Sequence, residues 1–252
     1  MKLANNISLL LCFRFFYIIF IGINCLTVLL CKQTTQIYNT LSILRKILSL
    51  QLTKILYCFL QENLERLLMK TAAIFLDRDG IIIENCPTYI RSWHDVRLFP
   101  HAVAALAAIV TLPHKIIIVT NQSAVGRGII SLETARAINT RLITEIRQQG
   151  GRIDDVFMCP HAPQDNCNCR KPHPGLLLQA AQKYAIDLTQ SIMIGDALTD
   201  IEAGQRANVQ SVGLVRTGRG NVQAKLPQAL SLPPFGTFDT LGDALKNLVS
   251  LP

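Results

Sequence analysis

Short, uninterrupted apolar runs alternate with longer segments of helical periodicity from residue 72 onward. The apolar runs predict five strands, at 72–77, 115–120, 155–159, 191–196 and 211–215. The segments between them predict helices at 101–110, 131–149, 174–185 and 199–207, and a last helix at about 239–249 follows a proline-rich connector. Because each apolar run is continuous, helices are expected to cover both faces of the sheet. The pattern therefore predicts an α/β fold with a doubly wound, mostly parallel sheet.

Four of the predicted strands end in polar side chains, which are Asp77 with Asp79, Thr120 with Asn121, Cys159 with His161, and Asp196. The carboxyl ends of parallel strands meet at one edge of a sheet, where ligands bind. Residues two apart in extended backbone point the same way, so Asp77 and Asp79 are expected to face one crevice while Arg78 faces elsewhere. Gly80 then lets the chain turn away. A plain turn is the competing interpretation, since Asp-Gly favours one by itself.

The first 68 residues differ from the rest of the chain, with no proline and a single glycine. Residues 15–31, "FFYIIFIGINCLTVLLC", carry no charge and would reach about 25 Å as a helix, slightly short of a bilayer core. A membrane segment is one interpretation. The other, which we favour, is that residues 1–68 are an apolar and basic extension absent from the mature protein, and that residues 69–252 form the functional domain.

The formal charge of +8 is unevenly distributed along the chain. Residues 1–68 hold seven basic against two acidic side chains, whereas residues 69–252 hold 18 against 15. The second part therefore lacks the strong basic excess of a polyanion-binding surface. This distribution argues against a nucleic-acid partner.

A cluster of metal-binding residue types follows the third predicted strand, in the order Cys159, His161, Cys167 and Cys169. Three thiols and one imidazole within eleven residues suit tetrahedral Zn²⁺ in a closed, structural site. Disulfides or inert buried thiols are the alternatives, but the chain has no clear secretory signal. Because Arg170 and Lys171 follow directly, a metal here is expected to order the loop that carries both cations.

Four stretches carry a resemblance to a known family, and in chain order they are "FLDRDG", "IVTNQS", "CRKPHPG" and "IGDALTD". Together they resemble the motifs of the haloacid-dehalogenase-type phosphatases, more narrowly the heptose bisphosphate 7-phosphatase and histidinol-phosphatase family. The resemblance covers roughly residues 72–250. It implies an enzyme without a large cap that hydrolyses phosphomonoesters through an aspartyl phosphate. The implied substrate is a small phosphorylated sugar, D-glycero-D-manno-heptose 1,7-bisphosphate, which would lose its 7-phosphate in nucleotide-heptose and surface polysaccharide synthesis.

The resemblance also implies roles for individual residues. Asp77 would be the nucleophile, Asp79 the general acid and base, and Thr120 and Lys171 would hold the phosphate. Substrate-binding positions would be Asn121, Gln122, Ser123, Arg170 and Asn85. Mg²⁺ would be bound by Asp77, Asp196 and the backbone carbonyl of Asp79. Asp200 matches a second acid of the last motif.

Some features leave alternatives open. Asp196 could simply precede a helix, because Thr199 and Glu202 have the spacing of a capping box. Ile81 replaces a usual threonine and Ala197 stands where some members have a lysine, and both departures bear on the sugar specificity. A histidinol-phosphate phosphatase and a catalytically silent, zinc-stabilised binding module are the competing functions. The resemblance implies a cytoplasmic monomer, or a membrane-anchored protein if residues 15–31 span a bilayer.

Overall fold

A computed structural model describes residues 42–55, 57 and 70–249. The chain divides into two compact units, Met1–Arg66 and Leu67–Pro252. In the first unit, residues 42–55 and 57 are helical. The proposed membrane segment at 15–31 lies outside the described residues. Among the helices that are described, none combines the length and the apolar character needed to cross a bilayer.

The second unit contains a six-stranded sheet whose paired strands all run parallel. The strands are β1 (Ala73–Leu76), β2 (Lys115–Asn121), β3 (Asp155–Cys159), β4 (Ile192–Gly195), β5 (Ser211–Val215) and β6 (Gly236–Phe238). Their order across the sheet is β3-β2-β1-β4-β5-β6. The predicted doubly wound parallel fold is therefore confirmed.

Helices connect the strands and cover the sheet. The α-helices are α1 (Pro100–Ala108), α2 (Ser123–Gly126), α3 (Leu132–Gln148), α4 (Gly175–Tyr184), α5 (Leu198–Arg206), α6 (Gly220–Gln223), α7 (Pro227–Ser231) and α8 (Leu241–Leu248). Short 3₁₀ helices lie at Trp93–Asp95, Pro163–Asp165 and Leu188–Gln190. The side chain of Ser131 caps α3 by accepting a hydrogen bond from the backbone N–H of Thr134. The predicted helices are thus present, with ends shifted by one to two residues.

The strands bury both faces, because alternate side chains enter two separate hydrophobic clusters. On β1, Ile74 and Leu76 pack on the side covered by α1, α3 and α8. Ala73 and Phe75 pack on the opposite side, which α4 and α5 cover. This division explains why the strands are apolar at every position rather than at every second one.

The proline-rich connector predicted between β5 and the last helix is wrong in part. It contains α7 and ends at Gly236, the first residue of β6. β6 pairs with β5 through Gly213 and Gly236, Leu214 and Thr237, and Val215 and Phe238. β6 has three residues and lies at the edge of the sheet, so it carries too few apolar positions to give a strand signal. The helices α2, α6 and α7 have only four or five residues and were likewise not predicted.

The sheet has its topological switch point between β1 and β4. The chain leaves β1 toward β2 on one side and later returns to β4 on the other. A crevice opens at the carboxyl ends of strands at such a point. Asp77 follows β1 and Asp196 follows β4, so the two carboxylates flank it.

Candidate active site

A cleft of about 430 Å³ opens at the carboxyl edge of the sheet. Nine of the predicted site residues line it, namely Asp77, Asp79, Asn85, Thr120, Asn121, Gln122, Ser123, Arg170 and Lys171. Asp196 has no exposed surface and binds the Asn85 side chain at the edge of the cleft. The structure therefore brings the polar strand ends together in one place.

Three buried carboxylates form an acidic cluster beside the cleft. They belong to Asp77, Asp196 and Asp200, and one oxygen of each lies within 4.8 Å of the others. Mg²⁺ prefers hard oxygen ligands, so these carboxylates fit the ion. The Asp79 carboxylate is not among the three, and the predicted contribution of its backbone carbonyl stays a prediction.

Lys171 lies inside the acidic cluster and is itself almost completely buried. Its Nζ donates to Asp77 Oδ1 at 2.7 Å and to the carbonyl oxygen of Val119 at 2.7 Å, and it lies 2.6 Å from Asp200 Oδ1. Burial alone would lower the pKa of Lys171, but the charges of Asp200 and Asp77 raise it. The side chain therefore keeps its positive charge.

The Asp77 carboxyl group responds differently to the same surroundings. Burial raises its pKa to about 7, and the charge of Lys171 opposes this rise only in part, since Asp200, Asp196 and Asp79 add to it. The group is thus partly protonated at neutral pH without a further cation. A divalent ion bound by the acidic cluster would favour the ionised form.

Asp79 is held by donors on two sides. Arg78 Nε lies 3.1 Å from Asp79 Oδ2 and Arg78 Nη2 lies 3.1 Å from Oδ1, while Gln122 Nε2 donates to Oδ2 at 2.9 Å. Gln122 Nε2 also donates to Thr120 Oγ1 at 2.9 Å. The expectation that Arg78 faces elsewhere is wrong for its guanidinium, because the long side chain folds back onto the neighbouring carboxylate.

Asp196 accepts hydrogen bonds from Asn85, a predicted site residue, and from Arg219, which sequence reasoning did not identify. Its Oδ2 accepts from Asn85 Nδ2 and from the backbone N–H of Arg219, both at 2.8 Å. The Arg219 guanidinium also donates to Oδ1 at 3.0 Å and lines the cleft. Arg219 follows β5, which ends at the same edge of the sheet as the other strands, and this position is the signal that could have revealed it.

The loops after β1 and β4 meet closely at Gly80. This glycine has a φ of +86°, and a Cβ atom there would collide with the Asp196 carboxylate.

The start of α5 corrects the capping-box alternative for Asp196. The helix begins at Leu198, and Asp200 Oδ2 accepts from the backbone N–H of Ala197 at 3.0 Å. Thr199 and Glu202 therefore do not form the cap.

The remaining predicted residues position the loop that carries Lys171. The Asn121 side chain donates to the carbonyl oxygen of Lys171 at 3.0 Å and accepts from its backbone N–H at 3.1 Å. Arg170 donates to the carbonyl oxygen of His161 at 3.3 Å. Ser123 begins α2 at the cleft. Asn121 thus fixes the Lys171 backbone in addition to lining the cleft.

The predicted zinc ligands form a compact cluster next to this loop. Cys159 Sγ lies 3.5 Å from Cys167 Sγ and 3.6 Å from His161 Nδ1, and Cys169 Sγ lies 3.4 Å from Cys167 Sγ and 3.3 Å from His161 Nδ1. Ligand bond lengths of ~2.3 Å for sulfur and ~2.1 Å for nitrogen put ligand atoms about 3.6 Å apart in a tetrahedron. The three thiols are free rather than disulfide-bonded. The residues therefore fit Zn²⁺.

The three thiols differ in pKa, which is lowered for Cys167 and raised by burial for Cys159 and Cys169. Burial alone would raise the pKa of Cys167, but hydrogen bonds from Cys169 and Cys159 lower it to about 7. Burial raises the pKa of Cys159, so its thiol keeps its proton in the absence of metal. Metal binding would release that proton.

Comparison with known proteins adds evidence independent of this geometry. The family model for HAD-hydrolase-like proteins matches residues 168–244. A D-glycero-beta-D-manno-heptose-1,7-bisphosphate 7-phosphatase of Pseudomonas putida is 37% identical over 178 residues, which are 70% of this chain and 98% of that protein. The enzyme of the same name from Pseudomonas aeruginosa is 36% identical over 152 residues, covering 60% of this chain and 85% of its own length.

The chain belongs to the heptose bisphosphate 7-phosphatase family of HAD-like hydrolases. It is a phosphatase. A solved structure of this family, the D,D-heptose 1,7-bisphosphate phosphatase of B. bronchiseptica complexed with magnesium and phosphate, has a TM-score of 0.65 and 32% sequence identity. The match covers 71% of this chain and 98% of that one.

Proposed function

We propose that the chain removes the 7-phosphate of D-glycero-D-manno-heptose 1,7-bisphosphate in a Mg²⁺-dependent reaction. The observation that carries the proposal is the contact of Lys171 with Asp77, 2.7 Å long, at the switch point of the sheet. It places a permanent cation against the predicted nucleophile, where a phosphate dianion would bind. Relatives named for this substrate, aligned over most of their own length, support the choice of sugar.

In the first half-reaction, an Asp77 oxygen bonds to phosphorus as the bond between phosphorus and the sugar oxygen breaks. The sugar oxygen takes the electron pair and receives the proton of Asp79, which acts as general acid. Lys171 and the Thr120 hydroxyl stabilise the charge on the phosphoryl oxygens. Thr120 is free to donate in this way, because Gln122 binds its oxygen as a donor.

In the second half-reaction, Asp79 removes a proton from water, and the water oxygen bonds to phosphorus. The acyl phosphate bond breaks, the Asp77 carboxylate is regenerated and phosphate leaves. Mg²⁺ held by Asp77, Asp196 and the backbone carbonyl of Asp79 would supply positive charge to the phosphate and favour ionised Asp77. Arg170 at the rim of the cleft would bind the second phosphate as a planar, bidentate donor.

Phosphate release from a panel of substrates tests this function. The panel contains both anomers of the heptose bisphosphate, the corresponding heptose monophosphates and histidinol phosphate, each with Mg²⁺ and with a chelator. We expect the highest kcat/KM for a bisphosphate and loss of activity without Mg²⁺. A preference for histidinol phosphate, or release that does not need the ion, would contradict the proposal. The same panel run on residues 69–252 tests the domain boundary, and unchanged rates are expected.

Zinc removal should weaken substrate binding. The Cys159–Cys169 segment directly precedes Arg170 and Lys171, so losing the metal should release the loop that carries both cations. We expect Cys167→Ser to lose bound zinc, measured by elemental analysis, and to raise KM for the bisphosphate about tenfold or more. Gln164→Ala, at an exposed position of the same segment, is the control. Unchanged kinetics in a variant shown to be free of zinc would count against this role.

A further inference from the structure

Arg78 is a buried cation, and each of its three side-chain nitrogens donates to a neighbouring side chain. It is 1% exposed and is the largest of the fully buried side chains. Its Nε and Nη2 donate to the two oxygens of Asp79, and its Nη1 donates to Asn139 Oδ1 at 2.8 Å. A buried guanidinium is tolerated when it is paired in this way, and removing one partner leaves the charge uncompensated.

Asn139 is the unexpected member of this group. It is 5% exposed and lies on the apolar face of α3, together with Ala135, Ile138, Leu142 and Ile146. Its Nδ2 donates only to the thioether of Met158, at 3.7 Å, and sulfur is a weak acceptor. Within the described part of the chain, the strong hydrogen bond of Asn139 is therefore the one to Arg78. Burying a polar side chain at such a position costs free energy, so packing alone does not account for Asn139.

The hydrogen bond that Arg78 donates to Asn139 fixes the direction of the guanidinium. The guanidinium in turn fixes the plane of the Asp79 carboxylate. Two parallel N–H donors restrict a carboxylate in angle as well as in distance. Gln122 completes the arrangement from the other side at 2.9 Å. Asp79 lines the cleft with about a fifth of its side chain exposed, so the oriented group faces the substrate.

We propose that Asn139 is a positioning residue that acts through Arg78 to aim Asp79 at the scissile oxygen. The inference rests on the proposed role of Asp79 as general acid and base. Proton transfer by a positioned side chain contributes about 10²–10⁴-fold to rate and depends on its alignment. Asn139 does not touch substrate, so its loss should lower kcat and leave KM nearly unchanged.

Three variants test the proposal on the full chain with Mg²⁺. Asn139→Leu keeps the branched shape but removes the acceptor, and we expect kcat to fall about tenfold with KM within twofold of the parent value. Asn139→Asp keeps an acceptor for Arg78 and should restore kcat to within about threefold. Thr140→Ala, at the adjacent exposed position of α3, is the control and should behave like the parent.

A double variant separates positioning from a structural role. In an Asp79→Asn background there is no carboxylate to aim, so adding Asn139→Leu should lower the residual rate no further. An additive loss, a kcat unchanged by Asn139→Leu, or failure of Asn139→Asp to restore it would each overturn the inference. If Asp79→Asn alone retains full activity, the proposed role of Asp79 fails instead. The two failures are therefore distinguishable.

Discussion

Asp77→Asn is expected to lower kcat/KM by at least about 10³-fold, because a carboxamide cannot form the acyl phosphate bond. The thermal stability of the folded state should not decrease. Burial already works against the ionised form of Asp77, as its raised pKa of about 7 shows, and a neutral amide of the same shape avoids that cost. We therefore expect the metal-free variant to unfold at the same temperature as the parent or higher.

Steady-state kinetics and thermal unfolding of the same preparations check this prediction. Asp239→Asn is a suitable control, because Asp239 is an exposed carboxylate that pairs with Arg216 at the surface. It should leave kcat/KM unchanged. Retention of turnover by Asp77→Asn would refute the covalent route, and the assignment of the nucleophile would have to move to another group.

Lys171→Met is expected to lower both the free energy of unfolding and kcat/KM. The substitution leaves Asp77 and Asp200 buried without the cation that lies between them. Breaking a buried ion pair by removing one partner costs about 3–5 kcal/mol. Loss of a charged group that stabilises the transition state should in addition lower kcat/KM by about 10²-fold or more.

Chemical denaturation and kinetics in Mg²⁺ separate the two effects of this substitution. Lys183→Met removes a lysine that pairs with Asp155 but is 44% exposed at its side chain, and it should cost less than about 1 kcal/mol. The double variant Lys171→Met, Asp200→Asn should regain part of the stability and none of the activity. Recovery of activity in the double variant would mean that Lys171 serves only to neutralise Asp200.

The central strands and the converging strand ends could be predicted because they depend on local pattern. Continuous apolar runs specify buried strands, and Asp77, Thr120 and Asp196 follow such runs directly. The predicted zinc ligands could be identified in the same way, since three cysteines and one histidine occur within one short segment. These signals lie within a few residues of each other and need no knowledge of tertiary contacts.

The missed residues depend on contacts between distant parts of the chain. Arg219 reaches Asp196 from the loop after β5, and Asn139 meets Arg78 from the middle of α3. Neither position carries a motif of its own, and an asparagine on an apolar helix face resembles an ordinary interruption of the pattern. β6 was missed because three residues at a sheet edge give no period to detect.

The proposed reacting groups come from separate strand connections, and Lys171 contacts Asp77 across 94 positions of sequence. No single supersecondary unit therefore contains enough of the centre to turn over substrate. Partly folded chains should be inert, and hydrolysis should disappear in the same cooperative step as the far-ultraviolet signal of the sheet during denaturation. Enzymatic turnover thus reports on the integrity of the whole parallel core.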